Sequence, residues 1–111
     1  MSASDAQTAL AAALDRMWAQ FLPQIQERIE VLEKSAQSFA DGRLTIEQHE
    51  IASAAAHKLA GVLGTFGLTR GTVLARELEI MYSRENGPDP ELAERLAATA
   101  VELRSMIETR K

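Results

Sequence analysis

Apolar residues recur at spacings of three and four along most of the chain, a pattern that predicts amphipathic helices and no strand. The first stripe of such positions comprises Leu10, Leu14, Met17, Trp18 and Phe21. The second comprises Leu22, Ile25, Ile29, Leu32, Ala36 and Phe39. Pro23 interrupts this region, and it either kinks one long helix or opens a second helix at its first turn.

Capping residues mark the helix boundaries in the middle of the chain. Asp41-Gly42 ends the first helical region, because glycine suits the left-handed position that follows many helices. Thr45 with Gln48 three positions later is a capping-box pattern, which predicts the start of the next helix. Gly67 marks the end of that helix, and Leu68 is predicted to fold back onto it.

Two further helices are predicted in the last third of the chain. Thr69 is the predicted N-cap of a helix that runs to about Arg84, and Asn86-Gly87-Pro88 is the predicted loop after it. Asp89 followed by Pro90 is a strong start signal for the last helix. The apolar stripe of that helix comprises Leu92, Leu96, Ala100, Leu103 and Ile107.

These elements predict an all-α fold, an antiparallel four-helix bundle with an additional N-terminal helical segment. The connection at Gly67 is very short, so the two helices that it joins should be antiparallel neighbours. We expect a single helical domain over residues 1–111, with the candidate chemistry on the helices at about 45–84.

Composition narrows the possible functions. Of the 111 residues, 46% are hydrophobic and 5% aromatic, enough for a core that is packed mainly through Ala and Leu. The net charge of -4 argues against nucleic-acid binding and, more weakly, against anionic membranes. No apolar run reaches the roughly 18 residues of a transmembrane span, and no signal peptide is visible. The absence of cysteine fits a reducing compartment, so a cytoplasmic location is expected.

His57 is the strongest candidate for chemistry because of its position on the helix predicted over 51–66. The apolar side of that helix is predicted to comprise Ile51, Ala55, Leu59, Val62 and Phe66. His57 falls on the opposite side. Its neighbours at spacings of three, four and seven are mostly small: Glu50, Ser53, Ala54, Ala60, Gly61 and Gly64. The pattern predicts an exposed imidazole that another protein can reach.

Two glycines beside His57 support the same interpretation. Glycine inside a helix costs roughly 1 kcal/mol relative to alanine. Gly61 and Gly64 therefore indicate a surface that is kept open for a partner. Close packing by another internal helix is the alternative explanation, but it would bury the His57 ring, which would then need polar partners.

Other candidate chemistry is weaker. His49 lies eight residues before His57 and about 80° away in direction, so the two do not form a helical metal pair, and His49 is expected on an exposed polar face. No nucleophile elbow or glycine-rich phosphate loop follows a strand. The many Glu residues are interpreted as solvated helix surfaces.

A neutral imidazole nitrogen is a nucleophile toward phosphorus. Phosphoryl transfer also needs in-line geometry and usually Mg²⁺. The sequence shows no obvious Mg²⁺ cluster, so a partner should bring the metal and the carboxylates, and this chain should bind no cofactor of its own.

Three stretches of the sequence resemble the histidine-containing phosphotransfer (HPt) domain family. They are Ala56-His57-Lys58-Leu59-Ala60-Gly61, then Gly64-Thr65-Phe66-Gly67-Leu68, then Leu74-Ala75-Arg76-Glu77-Leu78-Glu79. The family pattern runs His, any residue, Leu, Lys, Gly, then a Gly that ends the helix, then Leu-(Cys/Ala)-x-x-Leu-Glu on the next helix. The resemblance covers about 24 contiguous residues at several fixed spacings.

The resemblance implies a four-helix bundle with a solvent-facing histidine and a role in a two-component phosphorelay. A phosphoryl group would pass from an aspartate of one receiver domain to His57 and then to an aspartate of another. The implied partners are response-regulator receiver domains, a hybrid histidine kinase, or both, with Mg²⁺ bound in the receiver. The chain would then be a monomeric phosphoryl carrier rather than an enzyme.

The sequence departs from the family pattern three residues after the histidine, where Ala60 replaces the usual Lys. Lys58 points about 100° away from His57, so only the length and flexibility of its side chain could bring the ammonium group to the side of the helix that carries His57. Arg76 on the neighbouring helix is another possible substitute. The residues expected around the phosphoryl group or the docked partner are thus Lys58, Ala60, Gly61, Gly64 and Arg76.

Two other functions stay open at the level of sequence. Ala60 is compatible with a non-catalytic adaptor that docks a receiver or kinase without being phosphorylated. The third hypothesis is a plain structural bundle that self-associates through the face formed by Gly61 and Gly64.

Overall fold

A computed structural model describes residues 3–83 and 89–110 of the protein, and in these ranges it contains four helices and no strand. The helices are α1 (Ala3–Ala40), α2 (Ile46–Thr65), α3 (Thr69–Ser83) and α4 (Pro90–Thr109). The predicted all-α class and four-helix bundle are confirmed. Arg84 and the predicted loop Asn86-Gly87-Pro88 lie outside the described residues.

The additional N-terminal segment is not a separate helix, because α1 continues without a break through Pro23. Pro23 and Ala19, four residues earlier, are both exposed. The proline ring and the carbonyl that it leaves unpaired therefore face water rather than the core. At about 1.5 Å per residue, the 38 residues of α1 span about 57 Å, close to the 58 Å long axis of the molecule.

Each helix packs against two others. α1 contacts α2 and α4, and α3 contacts the same two helices. Ten large side chains are fully buried at the centre: Ile25, Ile29, Leu32, Leu59, Leu63, Leu74, Leu78, Tyr82, Leu96 and Leu103. Most of these come from the apolar stripes predicted from sequence.

The turn between α2 and α3 holds these helices side by side. Gly67 adopts a φ of 75°, in the left-handed region. Its N–H donates to the carbonyl of Gly64 at 3.1 Å, and the N–H of Leu68 donates to the carbonyl of Leu63 at 2.9 Å. This is the Schellman pattern, so the predicted helix end and the folding back of Leu68 are confirmed. Thr69, the predicted N-cap, is instead the first residue of α3.

The other predicted caps are present. Gly42 has a φ of 69°, and the helix it follows ends at Ala40. Thr45 and Gln48 form a complete capping box at the start of α2. The Asp89 side chain accepts hydrogen bonds from two backbone N–H groups at the start of α4.

Polar and aromatic contacts tie α4 to α1. Arg104 Nε donates to Glu33 Oε2 at 2.6 Å, and this hydrogen bond holds the pKa of Glu33 below its ordinary value. The Arg110 guanidinium lies 4.8 Å from the centroid of the Trp18 ring and 5.4 Å from that of Phe66.

The buried side of α2 differs from the predicted one. It consists of Ala52, Ala55, Ala56, Leu59, Ala60 and Leu63. Ile51, predicted to face the core, is 50% exposed. At about 100° per residue, the buried sector is rotated by roughly 70° from the prediction, toward α3. The reason is that α2 packs against two helices, and Ala60, which was expected on the open side, lies where α3 approaches.

Candidate functional site

An open groove between α2 and α3 contains the candidate chemistry. Its volume is about 470 Å³. It extends from His57 toward the N-terminus of α2 and the C-terminus of α3. Its lining includes Ile46, His49, Glu50, Lys58, Glu79 and Tyr82 in addition to His57.

His57 is exposed and makes one side-chain hydrogen bond to the neighbouring helix. Its side chain is 72% exposed, which confirms the predicted exposure. Its Nδ1 lies 2.8 Å from Oε2 of Glu79 on α3. The Glu79 side chain is 29% exposed, so the carboxylate sits partly sheltered at the edge of the groove.

The Glu79 carboxylate determines which nitrogen of His57 is nucleophilic. An ionised carboxylate can only accept, so we assign the proton of the neutral ring to Nδ1. The other nitrogen, Nε2, then carries the free lone pair. The arrangement of imidazole, carboxylate and open surface suits nucleophilic attack by Nε2 on a group presented from solvent.

Short side chains allow α3 to approach α2 closely beside His57. Thr72 Oγ1 donates to the carbonyl of Ala60 at 3.3 Å, and Ser53 Oγ donates to the carbonyl of Glu79 at 3.4 Å. Ala60 is only 4% exposed. Its expected place in the surface around the phosphoryl group is therefore wrong, because it lies in the contact between the two helices.

Gly61 and Gly64 are both exposed, but their surroundings differ. A Cβ added at Gly61 would meet no atom within 4 Å, so this position faces open space. A Cβ at Gly64 would lie 3.4 Å from Thr72 Oγ1, at ordinary contact distance. Gly61 thus fits the predicted open surface, and Gly64 lies at its boundary with α3.

The two basic candidates are placed differently relative to His57. Lys58 is exposed and lines the groove together with His57. Arg76 is exposed on α3 but is not among the groove residues. Of the two, only Lys58 shares the groove with the candidate nucleophile.

His49 is not on an exposed polar face as expected. It is half-buried, and its Nδ1 lies 3.3 Å from the backbone carbonyl of Tyr82. Its ring is edge-on to the rings of Phe39 and Tyr82, each with a centroid separation of 6.2 Å. Tyr82 is itself buried, which raises the pKa of its phenol. His49 therefore helps to join α1, α2 and α3.

Glu79 was not predicted as a site residue, although it lies within the stretch that resembles the family pattern. The short connection between α2 and α3 does contain a signal for the position of Glu79. Residues at similar distances from a tight turn lie side by side in antiparallel helices. His57 is ten residues before Gly67 and Glu79 is twelve residues after it. Their contact could therefore have been predicted from the position of the turn.

The described residues contain neither a candidate metal site nor a membrane-spanning helix. Within residues 3–83 and 89–110, no three His, Asp or Glu side chains are grouped as a metal site requires. Within the same ranges, no helix combines the length and apolar character needed to cross a membrane.

Comparisons with known proteins identify the family of the chain. A family model described as the Hpt domain matches residues 16–110. A curated relative, Protein RcaC of Microchaete diplosiphon, is 38% identical over 76 residues, which are 68% of this chain. The chain spans only 12% of the length of that relative. No solved structure gives a significant match.

Proposed function

The chain belongs to the Hpt domain family, whose members are phosphotransfer carriers of two-component signalling, and we propose that His57 is the residue that carries the phosphoryl group. The observation that supports this assignment is the exposed His57 ring with Nδ1 held 2.8 Å from the Glu79 carboxylate. That contact leaves Nε2 free to react on the open side of the bundle.

The transfer step needs one bond to form and one to break. The Nε2 lone pair attacks the phosphorus of an aspartyl phosphate on a receiver domain. The P–O bond to the aspartate breaks, and its electron pair leaves with the carboxylate. The phosphorylated ring keeps its Nδ1 proton and is positively charged, and the Glu79 carboxylate stabilises that charge. Transfer to a second receiver reverses these steps.

The rest of the machinery comes from the partners in this proposal. Receiver domains, or a hybrid kinase that contains one, supply the aspartate and the Mg²⁺ that neutralises charge during transfer. This chain contributes the nucleophile and the docking surface around Gly61. In this proposal the chain is also a cytoplasmic, monomeric carrier without an enzymatic cycle of its own.

The test is to label the protein with a phosphorylated cognate receiver domain. The expected product is an acid-labile, base-stable phosphohistidine, which ³¹P NMR identifies as the Nε2 isomer. The variant His57→Gln should take up no label, and His49→Gln should be labelled like the unmodified protein. Label that persists in His57→Gln, or unmodified protein that stays unlabelled with every cognate receiver, would refute the assignment.

Ala60 favours one alternative, a non-catalytic adaptor. In that case a receiver binds the His57 surface without transferring its phosphoryl group. Binding would then be insensitive to His57→Ala, and no label would appear on the chain.

A further inference from the structure

Hydrogen-bond acceptors line the groove beside His57. The ionised carboxylates of Glu50 and Glu79 have no proton to donate. The neutral His57 ring has its one N–H at Nδ1, which faces Glu79 at 2.8 Å. Nδ1 of His49 lies 3.3 Å from the Tyr82 carbonyl, which can only accept, so the proton of that ring is also on Nδ1. Each ring therefore offers only the lone pair of Nε2 to another molecule.

The hydroxyl groups in the lining likewise donate their protons within the protein. Ser53 Oγ donates to a backbone carbonyl of α3 at 3.4 Å, and Ser83 Oγ donates to a carbonyl of its own helix at 2.8 Å. The Tyr82 hydroxyl donates to a backbone carbonyl of α1 at 3.4 Å. Among the described residues that line the groove, Lys58 is thus the one side chain with hydrogens left to donate.

The charge of the lining matches this excess of acceptors. Glu50 and Glu79 contribute two carboxylates, and Lys58 contributes one ammonium. Within residues 3–83 and 89–110, no ion pair joins Lys58 to either carboxylate. The groove therefore complements a cation that is rich in N–H groups, and its volume of about 470 Å³ admits a long side chain of another protein.

We propose that the groove receives an arginine side chain of the protein that docks on His57. This rests on the proposed function, because docking brings the surface of the partner over the His57 ring and the groove opens beside that ring. A guanidinium has five N–H donors and no acceptor, so it matches a lining of acceptors. It is more weakly hydrated than an ammonium and pairs with a carboxylate through two parallel hydrogen bonds. The Ile46 side chain, 63% exposed in the lining, offers apolar surface to the methylene stem.

The groove then contributes to the choice of partner. A protein that places an apolar or acidic side chain here covers the Glu50 carboxylate and the Nε2 lone pair of His49 without pairing them, which costs binding free energy. A protein that places arginine here satisfies both. Attraction between these exposed charges weakens with salt, so the discrimination should be largest at low ionic strength.

The first experiment needs no receiver. Nα-acetyl-arginine methylamide is titrated into the protein and followed by ¹H–¹⁵N NMR, with the lysine and citrulline analogues as matched compounds. The arginine compound should shift the amide signals of Glu50, Ser53 and Ser83. It should bind about fivefold more tightly than uncharged citrulline, the upper range for one exposed ion pair, and more tightly than the lysine compound. Equal affinities for the three compounds, or no shift of these signals, would overturn the proposal.

The second experiment measures the Kd for the cognate receiver at low salt. Glu50→Gln should raise the Kd by about fivefold. Glu47→Gln, exposed on the same helix outside the groove, is the control and should leave the Kd unchanged. Each exposed arginine of the receiver is also changed to Gln. One of these variants should weaken binding to the unmodified chain and have little further effect on binding to Glu50→Gln, as a double-mutant cycle shows for directly coupled groups.

The outcomes separate this proposal from the function on which it rests. If a receiver labels His57 but no receiver arginine is coupled to Glu50, the role of the groove is wrong and the proposed function stands. If no receiver labels His57, the proposed function fails, and the docking role of the groove fails with it whatever the small compounds do.

Discussion

His49 and His57 lie eight residues apart on α2 and line the same groove, but their rings have different partners. The Nδ1 of His57 is 2.8 Å from a carboxylate, and the side chain is 72% exposed. The Nδ1 of His49 is 3.3 Å from a backbone carbonyl, and its ring lies half-buried against two aromatic rings. The first arrangement leaves a nucleophile accessible to a partner, and the second uses the ring as a packing element. Residue type and a shared groove therefore do not assign a role, whereas exposure and the group opposite the ring do.

The carboxylate opposite His57 provides the sharpest test of this comparison. In Glu79→Gln the amide can donate to Nδ1 and favour the tautomer with the proton on Nε2, which removes the nucleophilic lone pair. We expect the initial rate of phosphorylation by a saturating phosphorylated receiver to fall about tenfold to a hundredfold. Glu77→Gln, exposed on the same helix, is the control. Equal rates in the two variants would show that the Glu79 contact has no part in the chemistry.

The open surface next to His57 is tested at Gly61. Since an added Cβ meets nothing within 4 Å, Gly61→Leu should fold normally and yet project into the docked partner. We expect the Kd for a receiver to rise by about tenfold, or 1.4 kcal/mol. Gly61→Ala should keep the affinity and raise the melting temperature, because alanine favours helix by roughly 1 kcal/mol over glycine. A Gly61→Leu variant that mainly lowers the melting temperature would place this residue in a packed contact instead.

Because His49 packs between helices, its substitution should lower stability and leave the chemistry of His57 unchanged. His49→Gln should keep phosphorylation on His57 while lowering the free energy of unfolding by about 1–2 kcal/mol, through loss of the ring contacts and the bond to the Tyr82 carbonyl. Chemical denaturation measures this difference. Unchanged stability, or loss of label in His49→Gln, would remove the distinction between the two histidines.

The smallest expected effect concerns Tyr82, whose hydroxyl donates to the carbonyl of Leu32 at 3.4 Å. Burial raises the pKa of this phenol above its ordinary value of 10.0. The folded protein therefore keeps the proton longer than the unfolded chain, and stability is lost as the pH rises above 10.0. Tyr82→Phe should cost about 0.5–1 kcal/mol at neutral pH and flatten this alkaline loss. An equally steep loss in Tyr82→Phe, measured by melting curves between neutral and high pH, would assign it to other groups.

Much of the fold was predictable because helix ends carry local chemistry. Thr45, Gln48, Gly67 and Asp89 act through hydrogen bonds within a few residues, so their sequence signals need no knowledge of the rest of the molecule. The exposure of His57 was predictable from an equally local signal, the positions of apolar and small residues around its own helix. Pro23 was ambiguous, since whether a helix continues past proline depends on which side of the helix faces solvent.

The misplaced residues share another cause. Small side chains occur both at open surfaces and where helices approach closely, and sequence alone does not separate the two. Ala60 lies where two helices approach closely, whereas its neighbour Gly61 lies at an open surface. His49 was misplaced because its partners, Phe39 and Tyr82, are distant in sequence and are brought together only by packing of α1 against α2 and α3 against α2.

The Schellman turn at Gly67 has a consequence for how the sequence can change. One residue inserted between Phe66 and Thr69 would rotate α3 about its axis by about 100° and shift it by about 1.5 Å, since every later residue takes the place of its successor. Glu79 would then leave Nδ1 of His57 while both helices remained intact. The length of this connection fixes the register of the reactive pair, so we expect insertions and deletions to be tolerated at the ends of the chain and excluded from the turn.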